Sequence, residues 1–259
     1  MGRGAPGVEQ DPSAGDVHKL QALVDGFRTR DPRPLRVLDA GCGSRGRVDF
    51  GTDAHLVGID LSREQLDRNT SVDEKILGNI ESYPLPEADF DIVICWNVLE
   101  HVPHPERALH NLMRSVRPDG LLILRVPNVT SIKGLVTKFS PQALHIWVRK
   151  RVLGQKSAGE EGCGPFPTFL RFSIAPDSIR RFAARRGFST AHLNMFEGRQ
   201  QRTIRRKLGL VGPLWMFLKR LIRLVTFDRV SPDLTECTLV LRKRSSASRQ
   251  VTGEPVAQV

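Results

Sequence analysis

The chain has 259 residues, room for one large α/β domain or two small ones; 40% of them are apolar, yet none of its apolar runs approaches the ~20 residues that cross a bilayer. Its net charge of +11 is uneven: residues 1–128 hold 15 Lys or Arg against 20 acids, and residues 129–259 hold 24 against 8. The four cysteines (Cys42, Cys95, Cys163 and Cys237) form no CxxC pair, and the N-terminus has no apolar stretch of a secretory signal, so a structural zinc site is disfavoured and a cytoplasmic, reducing setting expected.

Residues 1–15 are expected to be disordered, and Val17, Leu20, Leu23, Val24 and Phe27 predict a short amphipathic helix over Asp16 to Phe27. Arg36-Val-Leu-Asp39 reads as a buried strand ending in an acid. The glycine-rich turn Gly41-Cys-Gly-Ser-Arg-Gly46 follows, with an electropositive helix N-terminus expected after it, although the Ser44–Ala54 connection is short enough to truncate that helix. His55-Leu-Val-Gly-Ile-Asp60 is a second strand ending in an acid, and Ser62-x-x-Gln65 is a capping box opening a helix to Asn69. Ile76 and Leu77 make a short third strand, and Asp91 to Cys95 a fourth. Pro105 then starts a helix with Ala108, Leu109, Leu112, Met113 and Val116 on one face. Arg117-Pro-Asp-Gly120 is a turn before the continuous apolar strand Leu121 to Val126. Such runs alternating with helices predict an α/β fold, a doubly wound, mostly parallel sheet covered on both faces.

Residues 129–172 break the rhythm, and a segment this long is expected to serve as a substrate lid. Ala175 to Phe188 reads as a helix, with strands at Thr190–Phe196 and Thr235–Leu241. Between those strands lies a basic amphipathic insertion, 197–231. In the expected organisation, residues 16–244 form one domain with its cofactor-binding core at 35–128, and 245–259 form a disordered tail.

In an open α/β sheet, ligands bind beyond the carboxyl ends of the strands, where the Gly41–Gly46 turn lies. Asp60, 19 residues after Gly41, is placed to bind both hydroxyls of a ribose. Gly41-x-Gly43-x-x-Gly46 also satisfies the dinucleotide fingerprint, so this pattern alone fits any adenosine-containing cofactor. Asp39 separates the two cases. A carboxylate just ahead of the glycines would repel a pyrophosphate, but it suits the ammonium of a methionine moiety.

Val37-Leu-Asp-Ala-Gly-Cys-Gly43, Val57-Gly-Ile-Asp-Leu-Ser62, Phe90-Asp-Ile-Val-Ile-Cys95, Val98-Leu-Glu-His-Val102 and Arg117-Pro-Asp-Gly120 resemble, in order and spacing, the motifs of class I S-adenosyl-L-methionine-dependent methyltransferases. The resemblance is firm over residues 35–128 and loose over the last helix and strands. It implies the Rossmann-like fold of that family, methyl transfer, and S-adenosyl-L-methionine as cofactor. It also implies that Asp39 meets the methionine ammonium and that the backbone of Gly41, Cys42 and Gly43 lines the methionine. Asp60 would hold the ribose, Leu61 would pack on the adenine, and Asn79 and Ile80 would face it, Ile80 being open to an ordinary core reading. Arg45 departs from the family by standing where many members have a third glycine. Asn79 departs by replacing an acid, keeping one acceptor for the adenine amino group.

His101, just past the fourth strand, is the candidate general base with Glu100 beside it; the alternative is that the pair anchors the following helix. His145 is a second candidate base. The segment after the fourth strand, Cys95-Trp-Asn-Val98, is unlike the Asn-Pro-Pro-Tyr stretch of amino-methylating DNA and glutamine enzymes, and no Pro-Cys nucleophile is present. That leaves O- or N-methylation, with O-methylation of a small molecule, glycan or glycolipid favoured. Lys133–Lys138 and Gly164–Thr168 are similar to segments of bacterial methyltransferases of surface-polysaccharide and glycolipid pathways.

The basic second half suggests an anionic acceptor, or else only that Arg is a common surface residue. Residues 213–227, with Leu214, Phe217, Leu218, Leu221, Ile222, Leu224 and Val225 opposite Lys219, Arg220 and Arg223, suit a peripheral membrane contact at the inner face or a helix covering the sheet. Nucleic acid is disfavoured, because aromatics are 6% and none is interleaved with the arginine runs. The alternatives are an RNA-binding methyltransferase and a catalytically inactive cofactor-binding scaffold.

Overall fold

The computed structural model describes residues 12–29, 33–44, 48–151, 154 and 168–245. In chain order the elements are α1 (Pro12–Arg28), β1 (Arg36–Ala40), β2 (His55–Asp60), α2 (Arg63–Arg68), β3 (Glu74–Leu77), β4 (Phe90–Trp96), α3 (Pro105–Ser115), β5 (Val116–Pro127), α4 (Ile132–Phe139), α5 (Gln142–Arg151), α6 (Pro176–Ala184), β6 (Phe188–Phe196), α7 (Arg199–Lys207), α8 (Gly212–Val225) and β7 (Glu236–Lys243). The strands form one sheet in the order β3-β2-β1-β4-β5-β7-β6. β1 to β5 pair in parallel, and β7 runs antiparallel to both β5 and β6. This is the expected doubly wound, mostly parallel sheet. The order in which strands are added reverses between β1 and β4, which opens the crevice where such sheets bind ligands.

Side chains alternate across the strands and both faces are covered, which is why β1, β4 and β5 read as unbroken apolar runs. On one face Leu38, Val93, Cys95, Leu122 and Leu124 pack with Leu109 and Leu112 of α3 and Ile179 of α6. On the other, Val37, Ile92, Ile94, Leu121 and Ile123 lie with Leu20 and Val24 of α1. α1 is tied down by its buried Asp16, which accepts hydrogen bonds from the Asn194 amide (3.0 Å) on β6 and the Thr238 hydroxyl on β7. At the amino end of β4, buried Asp91 accepts from the Arg36 N–H (2.8 Å) and from the guanidinium groups of Arg33 and Arg117. Burial alone would raise its pKa. The bonds from Arg33 and the Arg36 N–H, with the charges of Arg117 and Arg33, outweigh that and hold the carboxyl below its usual range.

Several boundaries differ from expectation. α1 starts at Pro12, inside the stretch expected to be disordered, because proline suits a first helical turn; residues 1–11 lie outside the described residues. Among the described residues no helix follows the glycine turn: the chain returns to β2 within 14 residues, too few for a turn, a helix and a return. Arg45 and Gly46 are themselves outside the description. The Arg117–Gly120 turn is absorbed into β5 as a register shift opposite Asp91, and Val116 opens that strand instead of closing α3. The helix expected over 175–188 stops at Ala184 because Phe188 already pairs with Lys243 as β6. Ser62 caps α2 as the motif predicts, accepting from the Gln65 N–H at 3.2 Å. Residues 246–259 and Gly164 to Pro167 lie outside the described residues, as does the side chain of His145 in α5.

Candidate active site

The carboxyl ends of β1 and β2 meet at the first glycine turn. Gly41 (φ +75°) and Gly43 (φ +55°) both adopt the left-handed backbone conformation. At Gly41 a Cβ would lie 2.3 Å from the Val98 side chain, so the turn can pass under the segment after β4 only as glycine. The Gly41 and Cys42 N–H groups donate to the Ile59 carbonyl at 2.7 and 3.3 Å, and Asn69 braces the turn by donating to the Gly43 carbonyl at 2.9 Å. The Asp60 carboxylate accepts from the Gly43 N–H and the Ser62 N–H, each at 2.9 Å, locking the end of β2 to the turn. Each of its oxygens keeps a second lone pair for a hydroxyl donor. Asp39 is buried at the end of β1, and Leu61 projects into solvent, 71% exposed. Burial, then the charges of Asp39 and Asp60, push the Cys42 thiol up to about 12, so it contributes backbone and bulk rather than a thiolate.

Asp39, Gly41, Cys42, Gly43, Asp60 and Leu61 are therefore brought together as predicted. Asn79 and Ile80 follow β3. The Asn79 side-chain oxygen accepts from the Glu81 N–H at 2.9 Å in a tight turn, which fixes the amide and leaves its second lone pair for another donor. Ile80 is 5% exposed and packs within the main core, which is the ordinary core reading.

A second region opens past the carboxyl ends of β4 and β5. It is a cavity of about 1020 Å³ that does not take in the Asp39–Asp60 cluster. Its floor carries Asn97, Glu100, His101, Arg125, Lys133 and Glu236, and its walls include Ile132, Leu144 and Val148 from α4 and α5 with Leu208, Trp215, Leu218 and Ile222 around α8. Glu100 and His101 lie in a short 3-10 turn, with the imidazole Nε2 4.0 Å from a Glu100 carboxyl oxygen. Neither residue caps α3, whose N-cap is His104; the Glu100 carbonyl instead accepts from the N–H groups of Phe169 (2.9 Å) and Leu170 (3.2 Å). Both side chains also line the cavity, so a place in the site and an anchoring role are compatible. Burial pushes the Glu100 carboxyl up to about 8; Glu236 adds to this, and Lys133 and Arg125 oppose it. Its Oε2 has no hydrogen-bond partner.

Four residues of the cavity floor were not among the candidate site residues read from the sequence: Asn97, Arg125, Lys133 and Glu236. Asn97 holds φ +55° directly after β4, a conformation asparagine tolerates and which clusters at functional sites. Arg125 is stacked between the rings of Trp96 (4.9 Å) and Phe196 (4.8 Å), and Lys133 donates to Glu236 at 2.9 Å. A charge interrupting the apolar run of β5 was the available signal for Arg125.

Comparison with known proteins agrees with this geometry. A methyltransferase-domain family matches residues 14–210. A mitochondrial ubiquinone biosynthesis O-methyltransferase of Schizosaccharomyces pombe is 31% identical over 132 residues, covering 46% of this chain and 48% of that protein. A malonyl-[acyl-carrier protein] O-methyltransferase of Enterobacter lignolyticus is 28% identical over 80% of this chain and 83% of its own. The chain spans about half the length of the first curated relatives it matches, 49% and 48%. Among solved structures, a proposed sarcosine dimethylglycine methyltransferase of Galdieria sulphuraria superposes with a TM-score of 0.53 at 15% identity, covering 90% of this chain and 85% of that one, a likeness of fold. With its glycine turn, strand-end acids and sheet order in place, the chain belongs to the methyltransferase-domain family, whose class I members use S-adenosyl-L-methionine.

Proposed function

We propose that the chain transfers the methyl group of S-adenosyl-L-methionine to a hydroxyl of a small-molecule, glycan or lipid-linked acceptor, with a polar or anionic head and an apolar portion. The observation that carries this reading is the mixed lining of the 1020 Å³ cavity: charged and polar groups at the strand ends and on α7, beside apolar side chains of α4, α5 and α8. An amphiphile meets both with its polar groups paired and its apolar surface removed from water. O-methyltransferases among the relatives support oxygen as the accepting atom, although one relative is a C-methyltransferase.

The residues at the first turn fit the cofactor by their chemistry. Asp39 offers a carboxylate to an ammonium, Gly41 to Gly43 offer close backbone approach, Asp60 offers acceptors to a diol, and Leu61 an apolar face. When bound, the cofactor supplies an electrophilic methyl group. The chain's own residues supply alignment and proton removal: Arg125 and Lys133 hold an anionic head, and His101 accepts the proton of the hydroxyl as its oxygen forms the new bond to carbon. Residues 132–148, 168–170 and 198–222 act as the acceptor walls around that oxygen.

The test is transfer of a labelled methyl group to fractionated lysate, separated into small-molecule, lipid, glycan, RNA and protein pools. Label in a glycan, lipid or small-molecule pool, stable to conditions that cleave methyl esters, supports the reading. Label confined to RNA or protein overturns the acceptor, and tight cofactor binding with no label anywhere makes the chain a scaffold.

A further inference from the structure

α8 is apolar on two sides. At about 100° per residue, Trp215, Leu218 and Ile222 share the arc that lines the cavity, while Leu214, Phe217, Leu221, Leu224 and Val225 share the adjoining arc. A helix that only covered a pocket would turn polar side chains outward along that second arc. Here it is apolar and bare: Phe217 is 63% and Leu224 74% exposed, with Phe227 at 84% just beyond. The same character continues at the cavity mouth, where Val136, Leu144, Phe169 and Leu208 are at once cavity-lining and exposed. Phe139 and Trp147 of the neighbouring helices are exposed as well.

We infer that this apolar rim is a docking surface for an anionic lipid bilayer, so that the cavity mouth opens onto the membrane; the accompanying claim that the acceptor enters from the bilayer rests on the reading of the cavity above. Charge complementarity selects the occupant. Residues 197–231 hold nine Lys or Arg and two acids. Some of these cations are committed within the protein: Arg205 pairs with Glu197 at 2.7 Å, and Lys219 with Asp233 at 2.9 Å. Arg220 and Arg229 are exposed beside the apolar arc. Cations next to a bare apolar helix face suit headgroup phosphates over acyl chains. A second copy of the chain, docked by two-fold symmetry, would oppose this basic face with itself. A nucleic acid would leave Leu214, Leu221, Leu224 and Val225 with nothing to stack on.

The test is flotation of the full chain with phosphatidylcholine vesicles, with and without phosphatidylglycerol, at low and high salt. The wild type is expected to float with the phosphatidylglycerol vesicles, about tenfold less tightly at high salt, because exposed charges are screened. Arg220→Glu/Arg229→Glu should remove the salt-sensitive part. Phe217→Ser/Leu224→Ser should remove the salt-resistant part while cofactor affinity, measured by calorimetry, stays at the wild-type level and certifies the fold. No flotation at low salt overturns the inference, as does flotation indifferent to Phe217→Ser/Leu224→Ser. So does a concentration-dependent dimer that this variant dissolves, or RNA capture without vesicle binding. Flotation needs neither cofactor nor acceptor, so a failed methyl-transfer assay leaves docking standing, and failed flotation leaves the catalytic reading standing.

Discussion

α3 has 11 residues and α8 has 14, yet α3 buries seven of its side chains and α8 buries none. α3 packs on the sheet against β4 and β5; α8 walls the cavity and turns its second apolar face outward. The same contrast runs through the two halves of the site. The cofactor side is made of strand ends and main-chain hydrogen bonds, in segments the core holds rigid. The proposed acceptor side sets a floor of strand ends beneath helices such as α8 that contribute little to the core, so those walls can change their lining residues at small cost to stability. A methyltransferase with this division keeps one cofactor and varies its acceptor.

The largest expected effect lies where the halves meet. His101→Ala should lower turnover roughly 10²–10⁴-fold at saturating cofactor, with cofactor affinity unchanged by calorimetry. A loss below about tenfold would leave alignment as the main source of rate and return His101 to a structural role. Glu100 comes next. Its carboxyl is raised from 4.5 to about 8, so between those values the folded chain holds a proton that the unfolded chain has released. This group's contribution is therefore full below about pH 4.5 and is lost as pH rises toward 8, a change on the order of 5 kcal/mol. Urea melts across that range should show the decline in the wild type and a flatter profile in Glu100→Gln; parallel profiles would place the charge elsewhere.

Asp60→Ala tests the cofactor side, with an expected loss of about 1.5–3 kcal/mol in cofactor affinity, roughly 10–150-fold. Unchanged affinity, or tight NADH binding by the wild type, would break the assignment of that turn. The smallest effects sharpen the contrast in stability. Asp91→Asn should cost about 2 kcal/mol in urea unfolding, moderated because Arg33 and Arg117 can retreat into water. Leu224→Ser should change stability by no more than about 0.5 kcal/mol. Equal losses would show that α8 carries core energy after all.

The cofactor side was legible because its information is local. Asp39 and Asp60 end apolar strands, and the glycines follow in a turn whose close contact with Val98 leaves no room for a side chain. Legibility failed where neighbours decide the role of a residue. Ile80 carries the apolar type expected of an adenine contact, and the same type serves its burial in the main core. Asn79 gives one lone pair of its acceptor to the backbone two residues on, a local turn its identity alone does not announce. The cavity floor was legible at Glu100 and His101 only. Arg125, Lys133 and Glu236 reach it from three separate elements, and their meeting depends on β7 pairing beside β5. The two-faced composition of α8 could be read from its periodicity, but which face would lie open could not, since that depends on the cavity behind it.

The position of β7 bears on how the chain is made as well as on how it works. β7 is the last strand in sequence, yet it lies inside the sheet, between β5 and β6. While the ribosome is still synthesising residues before Glu236, β6 has no strand to join and the edge of β5 stays open. Asp16 waits for Thr238, 222 residues away, before α1 is fully latched. Such distant pairings slow folding and leave strand edges exposed to other nascent chains. Completion of this sheet therefore waits for β7, and a chain that stops short of it has an open β5 edge, an unpartnered β6 and a loosened first helix.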